Sequence, residues 1–103
     1  MKYYKVVTGG MRSLGLRKNP NTMKFTVGEW TYDKTELFLD NRDNGGIWVA
    51  NGMGAANTLK KYMMKRYGVG CLIFSVEIGS ILYQNSYRTK TDRVRLVDMV
   101  QGL

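Results

Sequence analysis

A chain of 103 residues has room for one domain, 1–103, with one modest core, and its single Pro and 44% apolar share argue against long disordered linkers. With no histidine and one cysteine, Ser-His-Asp and Cys-His catalysis, a His general base, a structural zinc site and an internal disulfide are all excluded. Sixteen Lys/Arg against eight Asp/Glu leave +8, a surplus that either attracts nucleic acid, an acidic protein face or anionic lipid, or is simply the balance of a small basic protein.

No apolar run approaches the roughly 18 residues that span a bilayer, so no membrane partner is expected. The opening MKYYKVVTGG lacks an apolar h-region and does not read as a secretory signal. Together with the lone cysteine, this predicts a reducing, cytoplasmic setting.

Residues 2–8 (KYYKVVT) are β-branched and aromatic and predict a strand, broken at Gly9-Gly10. Residues 11–22 combine Gly15, Asn19, Pro20 and Asn21 with Arg12, Arg17 and Lys18, which predicts a loop with a basic lining. A second strand is expected at 23–27 (MKFTV), closed by Gly28. Residues 29–45 are polar, with a short strand at 36–39, and Asp43-Asn44-Gly45-Gly46 is a turn signal because Asn and Gly tolerate positive φ. GIWVA, residues 46–50, reads as a buried strand.

The clearest helix follows, over about 53–67, with Asn51 as N-cap and Gly68 at the C′ position. Ala55, Leu59, Tyr62, Met63 and Tyr67 fall on one face of it. Lys60, Lys61, Lys65 and Arg66 gather toward its C-terminus, where cations meet the macrodipole favourably.

Residues 70–78 (GCLIFSVEI) alternate, with Leu72, Phe74, Val76 and Ile78 on one face and Cys71, Ile73, Ser75 and Glu77 on the other. Gly79-Ser80 turns the chain into a strand at 81–84. The polar run from Asn85 to Asp92 reads as a loop, and 93–100 (RVRLVDMV) resumes a strand. The sum is an α+β fold: a mostly antiparallel twisted sheet of five or six strands with one main helix packed on one face.

The chemistry is thin. Cys71 lies in a strand pattern and reads as a buried structural thiol. Glu77 sits in an apolar strand, either as a cleft carboxylate or as the partner of an Arg. Gly52-Met53-Gly54 lacks the third glycine of a dinucleotide fingerprint, and no P-loop is present. Neither metal nor cofactor is implied.

Charge is unevenly placed. Residues 28–46 hold five acidic and two basic side chains, a local charge of −3, so the remainder carries +11. The positive charge falls in three groups: Arg12, Arg17 and Lys18 in the first loop, the helix lysines with Arg66, and Arg88, Lys90, Arg93 and Arg95 near the C-terminus, beside Tyr83 and Tyr87. The helix group is also what a solvated helix face requires. Arg with Tyr suits phosphate pairing and base stacking, or a charged protein face with aromatic anchors.

The series Tyr4-Lys5-Val6-Val7, Arg12-Ser13, Phe25-x-Val27-Gly28-Glu29-Trp30, Gly46-Ile47-Trp48-Val49-Ala50, Ala55-Ala56 and Phe74-x-Val76-Glu77 resembles a group of small α+β proteins of phages and their hosts, over about residues 3–78. The resemblance implies a compact α+β fold and a viral origin, hence the host cytoplasm. It brings no activity and no catalytic residues. Such sheet-plus-helix domains are similar in outline to ADP-ribosyltransferases, but no Arg, Ser-Thr-Ser and Glu-x-Glu series occurs here in order.

Three functions are therefore expected in rank. The first is a non-enzymatic binding protein whose basic face, through Arg12, Arg17, Lys18, Tyr87, Arg88, Lys90, Arg93 and Arg95, meets an acidic protein; for a phage chain this would be an inhibitor of a host-defence nucleoprotein complex. The second is direct nucleic-acid binding. The third is a small nucleotide-binding or ADP-ribosyltransferase-like enzyme, which needs Glu77, Tyr4 and Arg12 to converge.

Overall fold

The computed structural model describes residues 2–14 and 22–103. Seven strands and one helix follow in the order β1 (Tyr3–Thr8), β2 (Trp30–Tyr32), β3 (Ile47–Ala50), α1 (Met53–Tyr67), β4 (Cys71–Ile78), β5 (Ile81–Gln84), β6 (Arg88–Thr91) and β7 (Arg93–Gln101). All pairings are antiparallel, in one sheet of order β2-β7-β4-β1-β3-β6-β5. The α+β architecture and the helix at 53–67 are as the sequence predicts.

The count of seven exceeds the five or six expected, because β2 and β6 lie in stretches too polar to read as strands. β6 (RTKT) is nevertheless the best buried: Thr89, Lys90 and Thr91 are each 0% exposed. Two expected strands do not form. Residues 23–27 make an isolated bridge, Lys24 with Arg12, outside the strands of the sheet, and their apolar character serves instead to bury Phe25. Residues 36–39 form no strand.

The two faces of the sheet bury separate clusters. The alternation in β4 predicts this, because both of its faces carry apolar side chains. Val7, Phe25, Ile47, Val49, Phe74, Val94 and Leu96 form the inner cluster. The chain passes from β6 to β7 through Asp92 alone, although three strands stand between them in the sheet. Such a short link is met only if the sheet curls, with the inner cluster on the concave side. Asp92 fastens this corner: its Oδ1 accepts from the Ser80 N–H, and its carbonyl accepts from the Asp33 N–H.

The helix packs on the other face, over β1, β3 and β4. Ala56 and Met63 are buried there against Val6, Ala50, Cys71 and Ile73. Cys71 is fully buried and desolvation raises its pKa, which keeps it a thiol rather than a thiolate. Tyr62 and Tyr67 share the predicted helix stripe but are half exposed. The helix ends as expected: Gly68 adopts φ 67°, and its N–H reaches back to the Met63 and Met64 carbonyls. Its start differs. Gly52, not Asn51, is the N-cap, and Asn51 is drawn away by the β5–β6 turn, donating to the Asn85 carbonyl and accepting from the Thr89 hydroxyl.

Candidate functional site

On the helix-bearing face, α1 covers the middle of the sheet and leaves two flanks. Each flank carries a tryptophan under two cations, and the pairing registers explain why. In β3–β6, Trp48 is opposite Lys90 and Ala50 is opposite Arg88. In β2–β7, Trp30 is opposite Arg95 and Tyr32 is opposite Arg93. Residues directly opposite in an antiparallel pair share a face.

The β3–β6 flank is roofed by the acidic segment. The Lys90 ammonium donates to the carbonyls of Phe38 and Asp40 at 3.0 and 3.1 Å. Burial lowers its pKa, and Asp40 partly opposes that shift. The Trp48 indole N–H donates to the Asp43 carbonyl. Asp33 accepts from the Gly46 N–H and from Thr35, closing the base of the roof. The Arg88 guanidinium lies 3.8 Å from the centre of the Trp48 ring and 3.9 Å from the Asp43 carboxylate.

Among the described residues, the β7–β2 flank has no such roof. Arg93 and Arg95 lie 4.9 and 5.5 Å from the Trp30 ring centre, and Arg93 also approaches Tyr32. Tyr32 is 48% exposed. Arg95 is held by Glu77, its register partner on β4, through Nε and Nη2. Glu77 is therefore half exposed and paired to an Arg. This site lies at the sheet edge, since β2 is the terminal strand.

Between α1 and the roofed flank is a cleft of about 610 Å³. Its floor is the junction of β1 and β3, which meet at one pair, Tyr4 with Ala50. Beyond that pair the strands part, and the Lys5 ammonium spans the gap to the Trp48 carbonyl at 2.6 Å. Lys5 also approaches the Phe25 ring, and desolvation lowers its pKa to about 8.

The predicted site residues thus separate. Arg93 and Arg95 meet on the open flank. Tyr87 and Arg88 line the cleft. Lys90 faces no solvent and holds the roof. Arg12 is exposed at the far end of β1, and Arg17 and Lys18 lie outside the described residues. Glu77, Tyr4 and Arg12 do not converge: Arg12 bonds Thr8, which is opposite Cys71, and Glu77 is six residues along β4 from there, roughly 20 Å at strand rise. Trp30, Tyr32, Trp48 and Lys5 were missed by sequence reasoning; the Trp-with-basic-strand pairing emerges only from registers across distant segments. Among the described residues no three His, Cys, Asp or Glu side chains gather as a metal site, and no helix is long and apolar enough to cross a membrane. No family model, curated protein or solved structure matches this chain.

Proposed function

We propose that this is a non-enzymatic binding protein that engages an acidic protein through the open β7–β2 flank. The observation that carries the reading is the half-buried stack of Arg93 and Arg95 over Trp30, beside the exposed Tyr32 at the sheet edge. Arginine and aromatic side chains are enriched where interfaces gain their energy, because a stacked guanidinium brings its charge together with the apolar area of the ring. Glu77 within the patch favours a protein over nucleic acid. It interrupts a phosphate track with negative charge, whereas a protein face accommodates mixed signs. The resemblance to phage proteins supports an acidic host component as the partner, with inhibition of a defence complex as the biological role.

The test is fluorescence anisotropy with two labelled probes, a polyglutamate peptide and a single-stranded oligonucleotide, over about 50 to 200 mM salt. Polyglutamate binding that weakens with salt and is lost in Arg93→Glu supports the reading. Oligonucleotide binding of greater affinity, lost in the same variant, replaces it with direct nucleic-acid binding. Binding of neither probe at low salt rejects the flank as a polyanion surface.

A further inference from the structure

The cleft beside α1 has features that the open flank does not explain. Its walls are largely apolar, formed by Tyr4, Val6, Trp48, Ala50, Leu59 and Tyr62. Its volume, about 610 Å³, falls within the roughly 300–1,000 Å³ of small-molecule sites. A protein of this size gains stability by closing such a space, and this one keeps it open where β1 and β3 part.

Among the described residues, one polar group beside the cleft is unpartnered. Arg88 Nε is buried without a hydrogen-bond partner. Its guanidinium is fixed flat on Trp48, while its carboxylate neighbour, Asp43, stands 3.9 Å away, beyond hydrogen-bond length. A stacked guanidinium with donors unspent is preorganised to receive an anion at its edge. Lys5 is also among the lining residues, its ammonium held by the Trp48 carbonyl, and Asp43 is the acidic one.

We propose that this cleft is a binding site for a planar aromatic anion, with the ring among Trp48, Leu59 and Tyr62 and the anionic group on Arg88. Apolar walls select the ring, and the unspent donors of Arg88 select the charge. Thr58, one helical turn from Tyr62, and Ala55, two turns from it, line the cleft along α1. The site is separate from the open flank, so each stands or falls alone.

The probe is the aryl sulfonate 8-anilinonaphthalene-1-sulfonate, titrated calorimetrically into the full chain. Two variants report on the two halves of the claim. Ala55→Phe fills the cleft from the helix side and leaves Arg88 in place. Arg88→Gln removes the charge and keeps the cavity; circular dichroism on both shows that the fold is kept. The expected result is a single site, lost in Ala55→Phe and weakened about tenfold in Arg88→Gln, the loss of one charge-assisted contact. The neutral analogue 2-naphthalenemethanol should compete poorly and 2-naphthalenesulfonate well. Binding indifferent to both variants overturns the site. Binding lost in Ala55→Phe but unchanged in Arg88→Gln, with equal competition by the neutral analogue, overturns the anion class. A variant that unfolds is replaced by Thr58→Trp for the cavity or Arg88→Met for the charge, and the same outcomes apply.

Discussion

On the β3–β6 flank, Arg88 and Lys90 lie over Trp48; on the β7–β2 flank, Arg93 and Arg95 lie over Trp30. The residue types match, and so does the face of the sheet. The difference is the segment of residues 33–46. Where it lies over the sheet, it offers two carbonyls to Lys90, which becomes part of the fold, and sets the Asp43 carboxylate beside Arg88. Where it is absent, the arginines keep solvent access and meet one carboxylate, Glu77. The local charge of −3 in residues 28–46 is thus spent largely on one flank, and the surplus stays available on the other. Basic residues in a chain do not make a basic surface until one knows what covers them.

The sharpest way to break the comparison is to truncate one cation on each side. Lys90→Ala removes a fully buried stem and leaves the Phe38 and Asp40 carbonyls unpaired. It should cost about 4 kcal/mol, read as a lower urea midpoint. Arg95→Ala, on the open flank, should cost less than about 1 kcal/mol, since its pair with Glu77 is half solvated. Equal costs would mean that the roof does not distinguish the flanks.

Lys5 sharpens the comparison from the cleft side. Its folded pKa of about 8 lies below its ordinary value of 10.5, so between these pH values the unfolded chain holds a proton that the folded chain has released. Stability from this group therefore rises as pH rises from about 8 toward 10.5. The stability difference between the natural chain and Lys5→Met should shift in favour of the natural chain by up to about 3 kcal/mol across that window, measured by urea unfolding at each pH. A flat difference would place Lys5 in water.

Smaller again is the turn that starts the roofed flank. Gly45 has φ 73°, and a Cβ there would overlap the Phe38 ring and crowd its backbone nitrogen. Gly45→Ala should cost about 2 kcal/mol in thermal or urea unfolding, with Trp48 fluorescence reporting the loosened roof. Gly52→Ala, which meets nothing and has extended φ, serves as the control.

Much of the fold was legible because it rests on local signals. The helix stops at Gly68, at positive φ, as that residue type announces, and the period-two pattern of β4 announces a strand buried on both faces. The turn at Asp43–Gly46 and the buried strand after it are also where residue types placed them. The site was less legible because it is built from pairings between distant segments. Lys90 sits in the most polar run of the chain, and nothing local reveals that Phe38 and Asp40, some fifty residues earlier, will cover it. Residues 23–27 have a strand's composition, yet Phe25 is apolar because it plugs the curl of the sheet rather than because its backbone joins a ladder. Trp30 and Tyr32 form a short edge strand whose only partner, β7, lies some sixty residues on.

The central claim is that position, not total charge, makes the open flank the binding surface. Two double variants with the same change in charge test it directly: Arg93→Glu with Arg95→Glu on the flank, and Lys61→Glu with Lys65→Glu on the exposed side of α1. Anisotropy with labelled polyglutamate at low salt should show at least about tenfold weaker binding for the flank variant and less than about threefold for the helix variant. Equal losses would show that the probe reads net charge alone and would contradict the account.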